Sequence, residues 1–341
     1  MRKLIRIAMG LATLWQPALC GGADTASPEH FYEGMSSVSA AAAIAPDMFI
    51  ACSSEDKVLR VYRTQGPSAP VAQLDVSRFL GLEGESADIR GAARIADHIY
   101  WIASHSRDEQ GQLRPARHHF FATMISREQD GIRIEPVGTP STTLLNELPG
   151  LNTVSTLRLD KAIGFSGKLS ERQRQELAPT NEGLYIDALC ADPRIDTLLI
   201  GFRNPRPVRV ITGRPHALMI PLNNAAEVID KGKTPIFGEA TLWDFDGLGI
   251  TCIAYSPAHG AYFILAQPHN AAVPCVLYRW SGMKADPPEP IRRLNFTDRE
   301  VTTLKLVPFE GASRLLLLTA RGSRAHALTS EKTFQGAWIQ P

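Results

Sequence analysis

The amino-acid sequence predicts an all-β fold: a single β-propeller of five blades, with six as the alternative count, and one short helical insertion. Three observations carry that reading. A unit of acidic turn, strand, tight turn, strand, polar turn and strand runs from Glu85 to Thr123, and similar units start at Asn181 and Asp244, with shorter versions at Ser36 and Thr297. From Val38 onward the chain is a succession of short apolar runs separated by turn residues, as in an antiparallel meander. Several runs are apolar throughout, notably Tyr262–Leu265 and Leu315–Leu318, and a strand with no polar face has to be covered on both sides, as in stacked blades.

Taken in order, Arg2, Lys3 and Arg6 precede the apolar run Ile7–Trp15, and the small residues after Pro17 resemble a cleavage region, so residues 1–23 are expected to be a secretory leader. Lipid attachment at Cys20 is disfavoured by Pro17 and Leu19, which sit badly in a lipidation site. Residues 24–341 then form one propeller domain, exported to the periplasm or the medium. Blade one takes Val38–Ile44, Met48–Cys52, Val58–Tyr62 and Val71–Val76, punctuated by Pro46-Asp47, Ser54-Glu55-Asp56 and Gly66-Pro67. Blade two takes Gly91–Ile95, His98–Ala103, His118–Ile125 and Ile132–Val137. The strand rhythm breaks over residues 141–180, where Leu169–Leu177 reads as an exposed helix capped near Ser170 and ended by Pro179. Blade three resumes with Gly183–Cys190, Thr197–Phe202, His216–Pro221 and Ala240–Phe245, and blade four with Gly249–Tyr255, Ala261–Ala266, Cys275–Trp280 and Ile291–Phe296. Blade five takes Val301–Val307, Arg314–Thr319 and strands near Ala325 and at Gln335–Gln340, with His30–Gly34 completing the last blade. The uneven spacing makes this a degenerate repeat.

Composition narrows the function. Thirty-six basic and thirty-five acidic residues give a net charge of +1, which lacks the field that non-specific nucleic-acid binding needs. No run after the leader is long and apolar enough for a membrane helix, so no membrane span is expected; a monomer is expected as well. Once the leader is removed, Cys52, Cys190, Cys252 and Cys275 remain, with no zinc or redox spacing among them. Cys252 and Cys275 fall on strands two places apart, about 9 to 10 Å and beyond disulfide reach, so buried free thiols are expected. Trp101, Trp243, Trp280 and Trp338 fall on strands and read as core.

The stretch Glu85–Thr123, Asn181-Glu182-Gly183-Leu184, Leu198–Pro205 and Asp246-Gly247-Leu248-Gly249-Ile250 together resemble the bacterial domain-of-unknown-function family 3616, over nearly all of the chain after the leader. The resemblance implies a β-propeller of exported or otherwise uncharacterised bacterial proteins and carries no activity with it. Arg90 departs from the family's Asp-x-Glu-Gly turn, which has a glutamate after the position of Asp88.

The candidate chemistry follows from the wheel. Residues just before each innermost strand gather at one mouth of the channel, and here they supply Glu85 and Asp88, Glu182, Asp244 and Asp246, and Asp298 and Glu300. Converging carboxylates repel unless they meet cations, and calcium takes about six to eight oxygens, so Glu85, Asp88, Glu182 and Asp246 are the candidate metal ligands and calcium the candidate cofactor. The alternative is that turn amides and Arg90, Arg203 or Arg299 satisfy these acids. His105 and Arg107 lie at the outlet of a strand, with Arg203 at the matching outlet one blade on; such arginines either clamp a phosphate or carboxylate or staple adjacent blades, Arg203 to an acid on a neighbour. The adjacent His118 and His119 read as packing residues on opposite faces of a strand. The expected ligand set is therefore Glu85, Asp88, Arg90, His105, Arg107, Glu182, Arg203 and Asp246. The expected function is binding of a small ligand or a protein partner at the polar mouth, with a calcium-dependent, phosphoesterase-like hydrolase as the alternative.

Overall fold

Each apolar run forms a strand, and the strands assemble into five antiparallel four-stranded sheets. The computed structural model describes residues 30–82, 84–129, 131–150, 162, 169–179, 183–209, 212–268, 275–294, 304–320 and 332–341. The expected leader, Glu182, Asp298, Arg299, Glu300 and the strand expected near Ala325 lie outside the described residues.

Blade one is β2 (Ala40–Ala45), β3 (Met48–Cys52), β4 (Val58–Arg63) and β5 (Ala72–Asp75). Blade two is β6 (Ile89–Ile95), β7 (His98–Ala103), β8 (Phe120–Glu128) and β9 (Gly131–Ser141). Blade three is β10 (Tyr185–Asp192), β11 (Thr197–Asn204), β12 (Ala217–Leu222) and β13 (Thr241–Trp243). Blade four is β14 (Gly249–Ser256), β15 (Ala261–Gln267), β16 (Cys275–Trp280) and β17 (Glu289–Leu294). Blade five is β18 (Leu304–Pro308), β19 (Leu315–Ala320) and β20 (Thr333–Ile339), completed by β1 (His30–Glu33) from the other end of the described chain.

The first strands touch in a closed ring, β2 to β6 to β10 to β14 to β18 and back to β2, and so line the channel. The protein is thus a five-bladed β-propeller, which decides the blade count in favour of five. The wheel is closed by β1, whose Tyr32 pairs with Phe334 and stacks on it with ring centroids 4.9 Å apart. Tyr32 also meets Phe49 and Tyr62 of blade one edge-on, so one fully buried ring joins the last blade to the first. Burying such a side chain contributes about 1.5–3 kcal/mol.

The core lies between the blades, with one apolar cluster at each of the five interfaces. This is why β15 is buried along its whole length: both of its faces meet a neighbour. Gly91 and Gly201 sit where blades come closest; a Cβ on Gly201 would stand 2.7 Å from Ile250 and 2.9 Å from Ala188. Trp101, Trp243 and Trp280 are buried in the clusters, and Trp338 is partly buried against the fifth. The four cysteines are buried free thiols.

Helices are few. α1 (Ser77–Leu80) links blades one and two, and α2 (Glu171–Glu176) is the insertion helix, with Ser170 and Gln173 forming a reciprocal capping box. α3 (Ala225–Lys231) follows β12 and packs against β9 through Val228 and Ile229; its buried Ala225, Val228 and Ile229 have helical spacing, a signal the strand rhythm around it masks. The insertion also plants Leu144, Leu145 and Leu148 in the cluster between blades two and three. His118 and His119 are not on a strand: a 3-10 turn at Pro115–Arg117 precedes them and β8 begins at Phe120, so both lie in the buried approach to it. No helix among the described residues is long and apolar enough to cross a membrane.

Candidate functional site

The upper mouth, where the inner strands begin, is built by a local device used three times. In β6 the register jumps from Ile89–Ala103 to Gly91–Ile102, in β10 from Ile186–Phe202 to Ala188–Gly201, and in β14 from Ile250–Ala266 to Cys252–Leu265. The unpaired residues are Arg90, Asp187 and Thr251, and a bulge re-aims the side chain it carries. A further jump, from Tyr185–Asn204 to Ile186–Phe202, leaves Arg203 unpaired on β11.

These residues form a buried charge network across the channel. Lys305 of blade five donates its three ammonium protons to Asp187 Oδ1 (3.1 Å), the Asp187 carbonyl (2.6 Å) and the Thr251 carbonyl (2.7 Å). Asp187 is on blade three, two blades away, so the lysine chain spans the axis. The two side chains are 5% and 2% exposed. Arg203 Nη1 lies 3.6 Å from Asp187 Oδ2, and its Nη2 donates to the Pro268 carbonyl of blade four at 3.3 Å. Arg203 therefore joins neighbouring blades as expected of a staple, but through a carbonyl; its acid is on its own blade.

Towards blade two, beside Asp187, Arg90 Nε donates to Asp88 Oδ1 at 2.6 Å and the guanidinium lies over the Tyr185 ring. Burial works against the Arg90 charge, but Asp88, Tyr185 and Asp187 outweigh it and hold the group above the ordinary arginine range. Burial likewise pushes the Tyr185 phenol up. Asp88 adopts a left-handed backbone (φ 49°), which aspartate tolerates, and its amide donates to Ser86 Oγ. Ser39 of blade one ties into this corner by donating to the Ile89 carbonyl at 2.6 Å.

Beside Asp88 and Arg90 opens a cleft of about 450 Å³, walled by the Ser54-Glu55 turn, Glu85, Tyr185 and the loop Asp108–Arg117. The loop is organised by Asp108, a buried carboxylate that accepts from the Gln110 and Gln112 amides (3.1 and 2.7 Å) and from Arg114 Nε (2.8 Å). Burial raises its pKa, but those donors outweigh it and hold the carboxyl below its usual range. Arg117 donates to Ser106 Oγ and the Arg107 carbonyl, and Arg114 lies 3.5 Å from Glu85. Asp108 escaped the sequence reading, although Asp108-Glu109-Gln110-Gly111 is a turn signature of the kind that organises loops.

Of the residues expected to form one site, Glu85, Asp88 and Arg90 meet in this cleft. His105 is buried with a left-handed backbone (φ 52°) and its ring edge-on to His118. Arg107 donates to the Gly111 carbonyl inside the loop. Neither lines the cleft, and Arg203 lies in the axial network. Asp246 shares the left-handed turn of Asp88 (φ 52°), but its side chain is 86% exposed and 3.9 Å from Arg214. Glu85, Asp88 and Asp246 each have an arginine partner of their own, and no group of three histidine, cysteine or acidic residues positioned to hold a metal occurs among the described residues. Burial, then His118 and His119, hold His105 well below its ordinary pKa, and burial, then Arg107, bring His118 down to about 4.

The fold and this site define a class: a five-bladed propeller with a charged cleft at one mouth and a charge network across its channel. No protein-family model matches the chain, and no curated protein matches it. Among solved structures it is similar to a chain of the mitotic checkpoint complex at 9% identity and a TM-score of 0.32, covering 88% of this chain and 61% of that one. It is also similar to the Cps50 (Swd1) β-propeller domain of Myceliophteria thermophila, at 11% identity and a TM-score of 0.38, covering 92% of this chain and all of that one. A Thermus thermophilus protein named as a putative oxidoreductase (glucose dehydrogenase) matches at 11% identity and a TM-score of 0.43, with the same coverage. Likeness at this level is a likeness of fold alone.

Proposed function

We propose that the protein is an exported binding protein that holds a small polar ligand, or a basic segment of a partner protein, in the upper cleft. The observation that carries this reading is the cleft itself: an open, charged hollow whose wall residues are fixed by hydrogen bonds before any ligand arrives, the preorganisation that binding rewards. Its lining holds five acids (Glu55, Glu85, Asp88, Asp108, Glu109) against three arginines (Arg90, Arg114, Arg117), an excess of two negative charges that favours a cationic ligand. Export rests on the charged start and short apolar run of residues 1–23, and membership of family 3616 on the segments quoted above.

Thermal melts of the exported form against small amines, carboxylates, neutral sugars and calcium, with a chelator control, test the assignment. A cationic solute is expected to raise the melting temperature, and Glu85→Gln with Glu55→Gln to reduce that rise without changing the ligand-free melt, since both side chains are solvent-facing. A preference for anionic solutes, or a rise indifferent to both substitutions, overturns the reading.

A further inference from the structure

The lower mouth, at the far ends of the inner strands, is a different chamber. Its volume is about 760 Å³, within the roughly 300–1,000 Å³ of small-molecule sites. Ala43, Ala93, Ala191, Ala254 and Pro308, one from each inner strand, line it, and these short side chains leave the axis open where larger ones would fill it. Above it Lys305 crosses the axis to Asp187 and Thr251, so the chamber is a pocket entered from below.

The charged groups in its lining are Arg94, Arg127 and Glu310, two cations against one acid. Arg94 is held in place by donating to the Ala96 carbonyl at 2.7 Å and the Ile44 carbonyl at 2.6 Å, and its Nη2 lies 4.0 Å from Asp97 Oδ1, which offsets part of its charge and leaves Arg127 as the main attraction for an anion. Arg127 is an exposed residue on β8, free of the burial that would make its replacement disruptive. An apolar interior with a net positive charge in its lining selects a molecule with an apolar body and one negative end. We propose that this chamber binds a small anionic amphiphile, a free monocarboxylate with an unbranched aliphatic chain. The site is separate from the upper cleft and lies across the charge network from it.

Calorimetric titration of the folded protein with decanoate, decan-1-ol and decylamine tests the proposal. Decanoate is expected to bind at one site and more tightly than either uncharged or cationic analogue. Ala254→Phe, which puts a ring into the chamber, is expected to weaken decanoate at least about tenfold. Arg127→Gln is expected to weaken decanoate about threefold and leave decanol unchanged, the scale of one partly screened charge. If Ala254→Phe fails to fold, the exposed Arg127→Gln variant and the order of the three ligands still decide. No binding of decanoate, equal or tighter binding of decylamine, unchanged affinity in a folded Ala254→Phe protein, or unchanged decanoate affinity in Arg127→Gln overturns it.

Discussion

Removing either partner of the axial pair should destabilise the wheel, and by unequal amounts. Among the described residues the network holds Asp88 and Asp187 against Arg90, Arg203 and Lys305, a net charge of +1. Lys305→Met keeps the volume and removes the ammonium, leaving a neutral set in which Arg203 still stands 3.6 Å from Asp187. Asp187→Asn leaves Arg203 and Lys305 without a carboxylate between them and raises the net charge to +2. Breaking a buried pair costs about 3–5 kcal/mol, because the surviving charge is uncompensated in a medium that solvates it poorly. Lys305→Met is therefore expected near about 3 kcal/mol and Asp187→Asn near about 5 kcal/mol. The double variant should cost less than the sum of the two, with a coupling of about 2 kcal/mol, since residues in direct contact are not additive. Urea denaturation followed by tryptophan fluorescence measures all three against the parent. A Lys305→Met protein as stable as the parent, or a double variant equal to the sum, would refute the claim that this pair holds three blades together.

Two further outcomes follow from the packing. His105 and His118 titrate below their unfolded pKa, so the unfolded chain takes up protons first and stability falls as pH drops from about 6.5 towards about 4, by at most about 1.4 kcal/mol per pH unit per histidine. Urea midpoints at pH 7, 6 and 5 should fall more steeply in the parent than in His118→Gln, and parallel slopes would count against burial as the cause. Gly201→Ala puts a Cβ 2.7 Å from Ile250 and 2.9 Å from Ala188, and such overpacking between blades three and four should cost about 1–3 kcal/mol, read as a lower melting temperature. An unchanged melt would mean the interface is looser than the distances state.

Much of the wheel could be read from local pattern, because its unit is local. Apolar runs bounded by Pro46-Asp47, Ser54-Glu55-Asp56 and Gly66-Pro67 place blade one within a residue or two of its observed strands, and Ser170 marks the start of α2. The continuous run at Tyr262–Leu265 says that blade four is covered on both faces, which only stacking achieves. The closure by His30–Glu33 is likewise legible, although the sequence offers a further strand near Ala325 for the same blade, in a stretch outside the described residues.

The site divides differently. Asp88 and Asp246 occupy the same left-handed turn before an inner strand, yet one is buried against Arg90 and the other faces solvent near Arg214. A turn fixes its own backbone; what its side chain meets is set by the neighbouring blade. The axial network shows the same limit more sharply. Lys305 and Asp187 are 118 residues apart, and Asp187 reaches the axis because a bulge displaces it from the strand alternation. A bulge is a mismatch between two strands, so the residue it turns inward is undefined until the partner strand is in register. Local pattern along the chain thus suffices for the wheel and for most of its strands and turns, while the charges that cross its channel and the cleft beside them take their places only when the blades close on one another.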